Sequence, residues 1–274
     1  MSIARLMQMA RAGVKASGGI TDPQAFTIAG ASTTPSATKS GVVTGNSHTY
    51  GFDPSGIYFF WALYPTSSIR RNTASTPFDI TTLSTTPDQQ LTRIGSNQFG
   101  VELSRDGTKI FSYGYDAGNH VYSATLSTPW DLTTASAWVG SGATLVAITN
   151  NHIRFSFDGT KLITAGYSGS AGIREYALST AWDVATASYV GGYATGLNTT
   201  SVFLSGDGTD LLYTDTTNNF KQLELPTPFS LTAASQTNTL ASSFLRGGYV
   251  TPDASKMITY SQSTQLLYEY TLPS

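Results

Sequence analysis

The sequence predicts an all-β fold, a five-bladed β-propeller in which the N-terminal segment pairs with the C-terminal one, preceded by a short N-terminal helical arm. Three observations carry this: a repeat of about 50 residues, an Asp-Gly-type turn at one place in each repeat, and a fifth copy divided between the chain ends.

The repeat is clearest in four segments: STPFDITTLS at 75–84, STPWDLTTAS at 127–136, STAWDVATAS at 179–188 and PTPFSLTAAS at 226–235. Their aromatics, Phe78, Trp130, Trp182 and Phe229, are spaced by 52, 52 and 47 residues. A period near 50 is that of a propeller blade, which is four short strands.

The turn is the second marker. Asp106-Gly107, Asp158-Gly159 and Asp207-Gly208 are tight-hairpin dipeptides, since glycine reaches positive φ without steric cost. Asp53-Pro54-Ser55-Gly56 and Asp253-Ala254-Ser255 stand at the same place in the other two copies. Each turn is followed by two runs rich in Tyr, Phe, Ile, Leu, Val and Thr, such as TKLITAGYS and GIREYALS, which suit a pleated surface. The near-continuous apolar runs fit strands buried on both faces between stacked blades. A β-helix has much shorter repeats and does not need antiparallel hairpins.

The fifth copy is divided. Fifty-two residues before Phe78 stands Phe26, and FTIAGAS matches WDLTTAS in register. The strands that should precede it lie at the other terminus, where LLYEYTLPS stops as it reaches the turn. Residues near Phe26 are therefore expected to supply the outer strand of the blade containing 256–272, removing the open edges of the array. The four repeat aromatics are expected at equivalent, largely buried positions between blades.

The chain divides into an arm, 1–19, and the propeller, 20–274. In MSIARLMQMARAGVKA, Ile3, Leu6, Met7, Ala10 and Val14 follow helical spacing, and Ser17-Gly18-Gly19 reads as a flexible joint. So short a helix is marginal alone, which suggests a partner surface. Ile3, Arg5, Leu6, Met7 and Arg11 are the candidate docking residues. The arm holds 3 of the 15 Lys and Arg residues and no acid, against 12 basic and 17 acidic residues in the rest.

Composition excludes several function classes. A net charge of -2 lacks the basic face that general nucleic-acid binding needs. No apolar run is long enough to span a bilayer. With no cysteine, disulfides and thiolate metal sites are excluded. His48, His120 and His152 show no metal-ligand spacing and read as solvated loop or strand-start residues, so no metal or cofactor is expected. No GxSxG or P-loop is present. A glycoside hydrolase would need two carboxylates about 5–10 Å apart near the channel, and the inner strands supply only Glu102. Asp131 and Asp183 are expected to cap turns. The loops before the inner strands repeat an Asn at 46, 97, 150 and 198, first of all as a turn residue. A candidate ligand face for a lectin-like alternative would use Asn97, Tyr115, His120, His152 and Tyr167.

STPWDLTTAS, joined to the SRDGTKIF and SFDGTKLI turns, resembles β-propeller repeat proteins of bacteriophages and bacteria, marine ones especially. The pattern covers roughly residues 20–274, with Ser230 replacing the Asp in one copy. The opening MSIARLMQMA also resembles the start of small phage virion proteins. The resemblance implies a non-enzymatic virion structural protein, a capsid decoration, tail or fibre component assembled in the host cytoplasm. Its partners would be capsid or tail proteins and a host-surface glycan. It carries over no functional residue. A carbohydrate-binding propeller and a glycoside hydrolase are the alternatives.

Overall fold

The structure is a computed structural model. It describes residues 24–273 except positions 46, 48, 64–67, 93–97, 115–119, 141–149, 167–171, 218 and 242–244.

Five antiparallel four-stranded sheets form the molecule. The first blade is β2 (Tyr50–Phe52), β3 (Tyr58–Leu63), β4 (Ser68–Thr73) and β5 (Gln89–Thr92). The second is β6 (Gln98–Leu103), β7 (Lys109–Gly114), β8 (His120–Thr125) and β9 (Val139–Gly140). The third is β10 (Asn150–Phe155), β11 (Lys161–Gly166), β12 (Ile173–Leu178) and β13 (Ala187–Tyr193). The fourth is β14 (Thr199–Leu204), β15 (Asp210–Asp215), β16 (Phe220–Glu224) and β17 (Ser235–Leu240). The fifth joins β18 (Leu245–Val250), β19 (Lys256–Ser261) and β20 (Leu266–Thr271) to β1 (Ala37–Ser40) from the other end of the chain. The first strands of the blades lie against one another at the hub.

The expected closure is present, with one shift of place. The outer strand of the fifth blade is Ala37–Ser40, registered as Ala37 opposite Glu269 and Ser40 opposite Leu266. Phe26 is in the turn that precedes this strand, where the register with Trp130 puts it. Ile28 N–H donates to Gln222 Oε1 at 3.0 Å. At the same place Leu132 N–H donates to Gln89 Oε1 and Leu231 N–H to Glu175 Oε2, both at 2.8 Å. In each case the acceptor belongs to the preceding blade.

Local chemistry explains the turns. In the second blade Ser104 Oγ donates to Asp106 Oδ1 at 2.6 Å, and the same carboxylate oxygen accepts from Thr108 N–H at 3.0 Å. Ser156 and Asp158, Ser205 and Asp207, and Thr251 and Asp253 repeat the bond. Asp79, Asp131 and Asp183 each accept a backbone N–H two residues on, capping a single 3-10 turn, as expected of Asp131 and Asp183.

The core is five apolar layers, one between each pair of neighbouring blades. Phe60 and Ile69 of the first blade meet Ile110 and Leu126 of the second, for example, and Ile163 meets Val202 and Leu211 across the next but one boundary. Phe78, Trp130, Trp182 and Phe229 do occupy equivalent positions, all at positive φ between 54° and 64°. They are half-buried, less than expected, because each ring lies over the glycine of its own blade's Asp-Gly-type turn rather than deep between two blades.

Candidate functional site

The inner strands all run toward the same end of the hub, where they enter the Asp-Gly-type turns. A cavity of about 180 Å³ opens there, lined by residues from all five blades. Its composition follows from the repeat. The last residue of each inner strand, Phe52, Leu103, Phe155, Leu204 or Val250, is apolar, and Asp, Ser or Thr follows to hold the turn. Between these repeating positions the residue one step earlier does not repeat. It is Gly51, Glu102, Arg154, Phe203 and Tyr249 in the successive blades, and all five line the cavity. The turn residue beyond also varies, as Pro54, Arg105, Phe157, Gly206 and Pro252.

Arg154 is the centre of the floor. Its Nη1 pairs with Glu102 Oε2 of the second blade. Its Nε donates to Val202 O of the fourth blade at 3.2 Å, and its Nη2 to Tyr50 O of the first at 3.3 Å. One guanidinium thus ties together the inner strands of four blades. Burial pushes the Glu102 carboxyl up from its ordinary value, and the charge and hydrogen bond of Arg154 offset part of that rise. Neither partner is fully covered: the Glu102 side chain is 18% exposed and that of Arg154 10%.

Aromatic groups form the walls. The Tyr249 ring lies against Gly51, where a Cβ would come within 2.9 Å of it, so glycine is what lets the fifth blade close over the first. Phe203 packs on Tyr249 with ring centroids 5.6 Å apart, and Arg154 lies over its face. At the mouth Arg105 stacks on Phe157. In the Asp-Gly-type turns burial raises the carboxyls of Asp106, Asp158 and Asp253, and the turn hydrogen bonds more than offset it. They stay below the ordinary carboxylate range.

The sequence-predicted ligand residues are placed differently. His152 is on β10 and fully buried, not solvated, and its Nδ1 accepts from Val202 N–H at 3.4 Å. Thr49, at the same place in the first blade, takes Val101 N–H at 3.0 Å, so this is a repeated bond between blades. His120 begins β8, with its side chain outside the described residues, and Asn97, Tyr115 and Tyr167 lie outside them too. So do the arm residues Ile3, Arg5, Leu6, Met7 and Arg11. Glu102 was visible as the one inner-strand acid, but Arg154, Phe203, Tyr249 and Phe157 were not singled out. The signal for them was available: they are the positions that vary between neighbours that repeat. Among the described residues no three of His, Cys, Asp and Glu are grouped to hold a metal ion, and no helix is long and apolar enough to cross a membrane.

No family model and no curated protein matches the chain. Solved structures do. The β-propeller domain of Cps50 (Swd1) from Myceliophteria thermophila is 9% identical with a TM-score of 0.52, over 88% of this chain and 99% of that one. A chain of the mitotic checkpoint complex is 14% identical with a TM-score of 0.50, over 82% of this chain, which spans 63% of that one. A candidate 6-phosphogluconolactonase from Bacteroides uniformis is also 14% identical at 0.50, covering 81% of this chain and 65% of that one. At such identities the likeness is one of fold alone. The chain is a β-propeller.

Proposed function

We propose that this protein is a non-enzymatic display propeller of a virion, attached through its N-terminal arm to a capsid or tail protein and presenting its blades outward. The observation that carries this reading is how the segment that follows the arm in the sequence is held, from Gln24 onward. The segment after the arm is woven into the ring: Gln24 N–H donates to Pro252 O at 2.9 Å, Phe26 O accepts from Gln222 Nε2 at 2.8 Å, and β1 completes the fifth blade. A pull on the arm is therefore transmitted to the closure of the whole propeller, which suits an attachment point. The repeat's resemblance to phage proteins and the basic, acid-free composition of the arm support the same reading. The hub speaks for binding over hydrolysis, because its one inner-strand carboxylate is committed to Arg154.

The test is deletion of residues 2–16. The shortened chain should keep its melting temperature and its β circular dichroism, and should no longer co-sediment with particles. Normal incorporation of the shortened chain would place attachment on the propeller and refute the arm's role.

A further inference from the structure

We propose that the hub cavity binds a single neutral sugar ring, a terminal or branch residue of a glycan. This rests on the display reading, to which it adds a ligand class and a site at the end of the hub where the inner strands enter the Asp-Gly-type turns.

The first argument is the pattern of variation. A position that serves the local fold of a single blade recurs from blade to blade, as the turn Ser and Asp residues do. Gly51, Glu102, Arg154, Phe203 and Tyr249 occupy one ring, as a glycine, an acid, a base and two aromatics. Five different residues converging on one cavity make an asymmetric surface, which recognition of a ligand requires.

The second argument is charge. A cation on the floor would lie beside Arg154, with Arg105 at the mouth. An anion would lie beside Glu102. It would also find the Arg154 guanidinium already engaged by Glu102 and by the Tyr50 and Val202 carbonyls, with no paired edge left to grip a carboxylate. A neutral ligand avoids both conflicts. Glu102 uses Oε2 for Arg154, which leaves Oε1 to accept a hydroxyl.

The third argument is shape. Half-exposed Phe157, Phe203, Leu103 and Pro54 give apolar walls over a polar floor. A pyranose has that same division, with C–H faces for aromatic rings and hydroxyl edges for a carboxylate. About 180 Å³ is below the range of drug-sized sites, and suits one ring better than an oligosaccharide.

The experiment titrates the full-length protein with methyl glycosides of glucose, galactose and mannose, and with glucuronic acid and glucosamine as charged comparators. Trp130 and Trp182 line the cavity, so their fluorescence reports occupancy. At least one neutral glycoside should bind, and the charged sugars at least tenfold more weakly. Phe157→Ala should weaken binding at least fivefold. Gly206→Phe should abolish it, since the third blade already carries a phenylalanine at that turn position and the new ring would fill the mouth. Both variants should melt within a few degrees of the parent. Absence of binding by every neutral glycoside, preference for a charged one, or unchanged affinity in both folded variants would each overturn the proposal. Particle co-sedimentation reads the arm independently, so the two readings fail separately.

Discussion

At the scale of single residues, the glycine of the Asp-Gly turn does two jobs that can be separated. Gly159 has φ +72°, which only glycine adopts without strain, and the Trp182 ring occupies the space a Cβ would fill. Gly196 has the same φ of +72° with nothing within 4 Å of a Cβ. Gly196→Ala should therefore cost only the backbone penalty, about 1–2 kcal/mol. Gly159→Ala should cost about 1–3 kcal/mol more, because the indole must also be displaced. Urea denaturation of the two variants measures the difference. Equal costs would show that the aromatic is free to move off its turn. The sequence carried the glycine and the aromatic as separate markers, one hairpin signal and one repeat anchor. Their mutual contact was hidden because they stand more than 20 residues apart and meet only when strands three and two pair.

At the scale of elements, the blades are locked in one direction around the ring. Arg71 Nη1 reaches Trp130 O, Lys109 Nζ reaches Trp182 O, Glu175 takes Leu231 N–H, Gln222 takes Ile28 N–H, and Lys39 Nζ reaches Thr81 O. Each is a side chain of one blade holding the 3-10 or equivalent turn of the next. The side chain is an arginine, a lysine, a carboxylate or an amide from one junction to the next, so no single residue type marks the junctions in the sequence. The junction at Gln222 also buries Asp210, whose Oδ1 accepts from Gln222 Nε2 at 2.8 Å. Burial raises the Asp210 carboxyl to about 6, against hydrogen bonds from Gln222 and Thr209 that lower it. A carboxyl raised on folding favours the folded state fully below its unfolded value near 4, and that contribution is lost as pH rises through about 6. Asp210→Asn removes the penalty while keeping an acceptor for Gln222. The variant should be more stable than the parent at pH 7.5, by up to about 3 kcal/mol, and the gap should close by pH 4. Thermal melts of both proteins across that range decide it; a gap independent of pH would mean that the gain is not electrostatic.

At the scale of the whole molecule, the propeller class, its five blades and its closure were legible because each rests on a repeat that the sequence states four or five times over. Singular features were not. The ion pair of Glu102 with Arg154 joins residues 52 apart on different blades, and His152 becomes buried only when neighbouring inner strands close over it. The place where the ring closes offers the most direct test of the architecture. In the intact blades four residues lead from the bonded leucine to the aromatic, as from Leu126 to Trp130 and from Leu225 to Phe229. Leu272 makes the same bond, its N–H donating to Ser255 O at 2.8 Å, as Leu126 N–H does to Thr108 O at 2.7 Å. Followed directly by Ala25, the end Pro273-Ser274 would bring Phe26 to the same distance from Leu272. A permuted chain that begins at residue 46, omits 1–24 and carries 25–45 after Ser274 should thus hold five unbroken repeats, fold to the same sheet content and have the 45-to-46 junction as its new termini. Deleting 25–45 outright should instead expose the edge strand β20 and the apolar side of the fifth blade, and the product should aggregate. Circular dichroism and size-exclusion chromatography of the pair separate the outcomes. A permutant that fails to fold would show that residues 25–45 do more than complete the fifth blade, and that the register linking Phe26 to Trp130 is not sufficient to place them.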